Sequence, residues 1–298
     1  MAKKVNLEHQ PRKASSVIKT SIVSVIFILY MFPFLLVLVN SLKRKVNIVK
    51  HPLQILDDAG LQWVNYKNAI EKMDFIRSFG NSFIITAVSV VLLIVFSSMA
   101  AYIFVRTDWK ACKISFFAMM ASMVIPFQVI MIPLVSIYGG KLGILNSRTV
   151  LILMNFGFGT SMCTFMCHGF IKSNVPIALE EAARIDGCGP HGIFFKIVFP
   201  LMKPILSTIA ILEVLGLWND YLLPSLVLGK KNLYTLPLAI RTFYGTFTND
   251  YGNIMAGLTL SIIPIVIVYV FFAEIYCWWS YSRCCEIINY RGEYYGNN

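Results

Sequence analysis

Between Glu180 and Pro204 the chain reads Glu-Glu-Ala-Ala-Arg-Ile-Asp-Gly-Cys-Gly-Pro-His-Gly-Ile-Phe-Phe-Lys-Ile-Val-Phe-Pro-Leu-Met-Lys-Pro, a polar block among apolar runs. Its residue types suit docking rather than covalent chemistry. Pro176 fixes φ near the first turn of a short helix, Ser173 or Asn174 stands where a cap is needed, and Glu180 and Glu181 lie near the positive end of the helix dipole. Gly187 ends that helix, because glycine takes the left-handed C-terminal position cheaply. Gly189-Pro190 then turns the chain into a second helix carrying Phe194, Phe195, Ile197 and Phe199. Ala182 and Ala183 are small enough for another surface to approach closely, and Ile177 and Ile185 offer apolar anchors. The plain alternative is an ordinary amphipathic loop between two membrane segments.

Glu213 is the only acidic residue deep in a long apolar run, where a charge costs about 2.5–3.5 kcal/mol on insertion scales. It must face protein or water, either as an acceptor for ligand hydroxyls on a polar path or as one end of an interhelical hydrogen bond. Asn155 carries the same two readings. Asn219 and Asp220 lie toward the outer end of the Glu213 run, where a structural role is the preferred reading over ligand contact. No catalytic residue is assigned, since the apolar runs hold no paired acid and base, Ser/His/Asp grouping or metal cluster. Cys163 and Cys167, one helical turn apart, read as small packing residues, and disulfides are not expected among Cys112, Cys163, Cys167 and Cys188. His9, His51, His168 and His191 are scattered and suggest no metal site. Gly140-Lys141 is followed by Leu142, so no hydroxyl is available for Mg²⁺ and no phosphate-cradling loop is present.

These residues must be held by membrane helices. The 298-residue chain is 57% hydrophobic and 14% charged, with a mean hydropathy of +0.68, which excludes a soluble globule. Its net charge of +11 does not point to nucleic acid: no basic stripe is interleaved with aromatics, and Lys and Arg fall in the breaks, where anionic lipid headgroups would meet them. A span needs about 20 apolar residues. Six segments qualify, near 18–40, 80–105, 114–138, 148–171, 204–228 and 254–279. The fold class expected is therefore all-α, a polytopic membrane protein with six transmembrane helices. Pro33, Pro126, Pro133 and Pro264 lie inside these segments and are expected to kink them rather than end them. The start of the chain reads as a signal anchor, not a cleavable peptide. Six spans put both termini on one side together with 106–113 and 172–203, but positive-inside counting is nearly even because Lys43-Arg44-Lys45 follows the first span. Residues 1–17 form an N-terminal segment, 18–79 a first span and an ordered external loop, and 80–276 a core. Trp63, Trp109 and Trp218 fit interfacial or loop anchoring.

The Glu-Ala-Ala, x3, Gly, x9, Ile-x2-Pro pattern is met by Glu181, Ala182, Ala183, Gly187, Ile197 and Pro200, with Asp186, Phe195, Lys203 and Pro204 also matching. It resembles the EAA loop of ABC importer permeases, and its place before the penultimate span is the expected one. Asn81-Ser82-Phe83, Ala101-Tyr102 with Arg106, Val124-Ile125-Pro126, Met131 to Leu134, Leu142 to Ser147, and Trp218 to Tyr221 with Pro224 resemble the carbohydrate-uptake branch, over residues 20 to 276. The resemblance implies the type I permease fold, an EAA loop at 172–203 on the cytoplasmic face, and cytoplasmic termini. It implies import of a carbohydrate, with polyamine or phosphate as alternative cargo. It further implies a second permease subunit, two ATPase subunits that bind the ATP and Mg²⁺, and an extracytoplasmic sugar-binding protein. Under it, Glu181, Ala182, Ala183, Asp186, Gly187, Ile197 and Pro200 couple the ATPase, and Glu213, Asn155 and Asn219 are candidates for the translocation path.

From Cys277 the chain departs from the Gly-Thr-x-Gly-Ala-Val-Lys-like ending of that family, reading Cys-Trp-Trp-Ser-Tyr-Ser-Arg-Cys-Cys-Glu. Because Trp has the single codon TGG, reading one nucleotide later turns Trp278-Trp279 into Gly-Gly. Residues 277–298 are therefore read as an atypical, frameshifted tail, with simple divergence as the alternative.

Overall fold

The computed structural model describes residues 13–55, 57, 60–245 and 249–270, with side chains from residue 19 onward. The expectations for His9 and for the tail from Cys277 lie outside these residues. The helices are α1 Lys13–Ser41, α2 Lys45–Lys50, α3 Val64–Lys72, α4 Phe75–Arg106, α5 Lys110–Ser122, α6 Phe127–Lys141, α7 Arg148–Asn174, α8 Ile177–Ile185, α9 Pro190–Leu201, α10 Lys203–Asn219, α11 Leu222–Val227, α12 Leu236–Ala239 and α13 Tyr251–Val270. No strand occurs among the described residues beyond an isolated bridge between Tyr244 and Asn249.

Four helices are long and apolar enough to cross a membrane: α1 from Lys19, α4, α7 and α13. The α5–α6 pair, bent by 96°, and the α9–α10 pair, bent by 72°, raise the number to six if each crosses as one span. Two expectations need correction here. Pro126 does not kink a continuous third span; it is the N-terminal residue before α6, at ψ 137°, and α5 has already ended at Ser122. Proline lacks the donor that would continue the ladder and disfavours helix in the residue before it. The fifth span does not run to residue 228. It ends at Asn219, where Asp220 turns extended and accepts the Leu222 N–H at 2.9 Å, starting the separate α11. The second span, α4, begins at Phe75.

α4 and α7 form the central pair. The buried face of α4 is rich in small residues, Ser78, Ser82, Ser89, Ser97, Ser98 and Ala101, set among Ile85, Val90 and Leu93. Small residues let helix backbones approach closely where lipid offers no hydrophobic drive. At one end, Leu93, Ala101, Cys163, Cys167 and Ile171 pack with Ile193, Phe194 and Val198 of α9. At the other, Trp218 packs with Ala69, Met73, Leu236 and Ile254. Trp218 is thus a core residue, not an interfacial anchor; its Nε1–H donates to the Ser261 carbonyl at 3.2 Å and its ring meets Phe79 edge-on at 5.8 Å. Trp63 and Trp109 are exposed.

The 42–73 segment is ordered by its polar groups. Asp57 accepts from the Arg44 backbone at 2.8 Å and from Asn47 Nδ2 at 2.7 Å, and pairs with the Arg44 guanidinium at 3.1 Å. Asn65 Nδ2 donates to the carbonyls of Ser41 and Lys43 at 2.8 and 2.9 Å. Buried Lys43 donates to the carbonyls of His51 and Pro52 at 3.3 and 3.2 Å. Burial lowers the Lys43 pKa from its ordinary value, with the Asp57 charge opposing the shift.

Candidate functional site

The 172–203 block forms two helices joined by a tight turn. Gly187 adopts φ +82°, Gly187 N–H donates to the Arg184 carbonyl at 3.0 Å, and Cys188 N–H donates to the Ala183 carbonyl at 2.9 Å. These are the paired bonds of a Schellman C-terminus, which satisfies carbonyls the helix would leave open. Gly189 and Pro190 then start α9 as the sequence suggests, with Pro190 at its first position. The proposed caps do not form. Ser173 Oγ and Asn174 Nδ2 donate back to the carbonyls of Gly169 and Phe170 inside α7, while Pro176 opens α8 with no side-chain bond. Asn174 is still helical, so its side chain finds the i−4 carbonyl before it can reach forward.

α8 has two unlike faces. Ala183 is buried against α9, whereas Glu181, Ala182, Asp186 and Gly187 are exposed. Ile177, Leu179 and Ile185 are also exposed, Ile185 by 87%. In the second helix Ile197 and Pro200 are partly buried and Phe194 is fully packed. The residue absent from the sequence-based site is Glu180. It is completely buried; its Oε1 accepts from Arg106 Nε at 2.8 Å and its Oε2 accepts from Tyr102 OH at 2.9 Å. Arg106 Nη2 also donates to the Val175 carbonyl at 2.8 Å. Removing one partner of such a buried pair costs about 3–5 kcal/mol. Tyr102 and Arg106 were visible only as the closing residues of the second span, one turn apart.

A cavity of about 1070 Å³ opens between α5, α6, α7, α10 and α11. Glu213 and Asn155 both line it, together with Gln128, Tyr138, Ser161 and Asp220. Phe127 and Phe158 contribute apolar wall, their rings edge to face at 5.3 Å. Glu213 also makes the interhelical contact weighed against the path role: Cys163 Sγ donates to its Oε1 at 3.3 Å. Asn219 is not brought to this site. It is exposed and donates to the Leu215 carbonyl at 2.8 Å within its own helix. Among the described residues no group of three or more His, Cys, Asp and Glu is arranged to hold a metal ion.

The chain matches a family described as binding-protein-dependent transport system inner membrane component over residues 93–276. It is 40% identical over 245 residues to a probable starch degradation products transport system permease protein of Thermoanaerobacterium thermosulfurigenes, covering 82% of this chain and 88% of that one. It is 34% identical to a melibiose/raffinose/stachyose import permease protein of Bacillus subtilis, over 87% of this chain and 92% of that one. Among solved structures, a chain from a bacterial ABC transporter involved in the import of the acidic polysaccharide alginate shares the fold, with a TM-score of 0.72 at 21% identity over 89% of this chain and 98% of that one. By fold, family match and relatives, the chain belongs to the binding-protein-dependent transport system inner membrane components: it is an all-α ABC importer permease, a transport protein and not an enzyme.

Proposed function

We propose that this permease moves a carbohydrate, an oligosaccharide by its relatives, across the cytoplasmic membrane, driven by two ATPase subunits and supplied by an extracytoplasmic sugar-binding protein. A second permease subunit completes the pathway. In this reading each bent pair crosses as one span, which makes six, and the α8 end faces the cytoplasm with both termini. The observation that carries it is the two-faced α8: one side is locked into the membrane core through Glu180, and the other offers Ile177, Glu181, Ile185 and Asp186 to a partner groove. Closure of the ATPase dimer on ATP moves α8, Gly187 sets the exit direction, and α9 passes the motion into α10. Glu213 and Asn155 accept sugar hydroxyls in the cavity, whose aromatic walls suit the apolar faces of sugar rings.

The test is uptake of labelled oligosaccharides by a deletion strain carrying the wild-type chain or Glu213→Gln. Restored uptake by wild type and reduced uptake by the variant are expected. A deletion defect restricted to ions, polyamines or peptides would remove the sugar assignment. The match of the family to residues 93–276 ends immediately before Cys277, in keeping with a tail translated out of frame. Sequencing the codons for 277–286 decides this, since the next frame must encode a Gly-Gly-containing ending of the family type.

A further inference from the structure

α4 is the longest described helix, 32 residues or about 48 Å, and it packs against α7 and α10, two of the helices that wall the cavity. Its last residue, Arg106, holds Glu180 of α8, and Tyr102 holds the second carboxylate oxygen one turn earlier. Thirteen residues before Arg106, about 20 Å along the axis, Leu93 sits where α4, α7 and α10 meet. A Cβ added to Gly159 of α7 would lie 2.9 Å from Leu93 Cδ1 and 3.4 Å from Glu213 Oε2. One continuous helix, α4, therefore runs from the coupling helix to the neighbourhood of the cavity carboxylate.

We infer that Glu180, Arg106 and Tyr102 form a positioning joint that fastens α8 to α4, so that the second span carries motion from the docking surface to the Glu213 cavity. This route runs beside the covalent one through Gly187 and α9. The chemistry suits a joint. Both carboxylate oxygens are engaged, Arg106 bonds the Glu180 side chain and the Val175 carbonyl just before α8, and the site is dry enough that each bond is directional. Arg106 at the C-terminus of α4 also meets the negative end of that helix dipole. A flexible surface pair could not transmit displacement; a buried pair bonded at both oxygens can.

The inference rests on α8 docking an ATPase. Its test uses the assembled complex in proteoliposomes and reads solute transported per ATP hydrolysed. Glu180→Gln should lower that ratio roughly ten-fold, the scale of a weakened charged hydrogen bond, while the ATPase subunits still co-purify. Tyr102→Phe, which leaves the ion pair intact, should lower it less, and the exchange Glu180→Arg with Arg106→Glu should recover part of the loss. An unchanged ratio in Glu180→Gln and Tyr102→Phe overturns the joint while leaving docking intact. Loss of ATPase subunits from both single variants and from the exchange makes the pair merely structural and also overturns it. Absence of ATPase from the wild-type preparation overturns the docking reading and the joint with it.

Discussion

Replacing Gly187 by Val isolates the backbone as the working part of the coupling turn. At φ +82° an L side chain is strained, yet a Cβ added at Gly187 would meet nothing within 4 Å, so no clash contributes. A left-handed conformation costs an ordinary residue about 1–2 kcal/mol, and a bulky one in a sparsely populated region up to about 3 kcal/mol. If the turn escapes that strain, it gives up the Gly187–Arg184 and Cys188–Ala183 bonds. A penalty of 1–3 kcal/mol corresponds to about a 5- to 150-fold loss in the population of the native turn. The nine-residue α8 is too short to hold its shape without that terminus. Sugar uptake, normalised to the amount of inserted chain, should therefore fall in the order glycine, Asn, Ala, Val, with Asn close to wild type because it tolerates the left-handed region. Wild-type uptake by Gly187→Val would refute the reasoning. So would Gly187→Asn failing as badly as Gly187→Val, since size at an exposed contact would then be the cause.

Gly159→Ala should destabilise the permease by about 1–3 kcal/mol, because its methyl meets both Leu93 methyl carbons at 2.9 Å, whereas Gly157→Ala, with nothing within 4 Å, should not; thermal unfolding in detergent compares them, and equal midpoints would refute the packing. Lys43 supplies a pH signature. Its pKa is lowered in the folded state, so the unfolded chain binds the proton more tightly, and stability rises as pH climbs from the lowered value to the ordinary lysine value. Lys43→Met should abolish that alkaline rise in melting temperature; an unchanged slope would show that Lys43 is not its source.

Local grammar makes part of the fold legible in the sequence. Gly187, Gly189 and Pro190 act within a few residues of themselves, so the turn and the second helix follow from sequence, as do the long apolar runs of α4 and α7. The Glu180–Arg106 bond joins residues 74 apart, and no periodicity reports such a pair. Glu181, the exposed neighbour, completes a sequence pattern, while Glu180 faces inward by one helical step of rotation. Glu213 and Asn155 share a cavity only because α10 packs against α7, whereas Asn219, six residues beyond Glu213, has already turned to its own helix carbonyl. The apolar runs also continue past Pro126 and Asp220, since apolar composition does not register where the hydrogen-bond ladder stops.

The face that α4 turns inward bears on how the permease can move. Long branched side chains interlock like gear teeth, and shearing such a seam means lifting each tooth from its socket. Ser78, Ser82, Ser89, Ser97, Ser98 and Ala101 give low relief over much of the face, with Ile85, Val90 and Leu93 as its few teeth. The hydroxyls of Ser89, Ser97 and, on α7, Thr164 are buried without a hydrogen-bond partner among the described residues, so they add no polar lock at those positions. Such a surface lets the two backbones approach closely, while Leu93 holds their register. The central helix pair is thus keyed rather than smooth: with Leu93 lodged at Gly159, an axial displacement of α4 at its Arg106 end is passed to α7 instead of being lost between them.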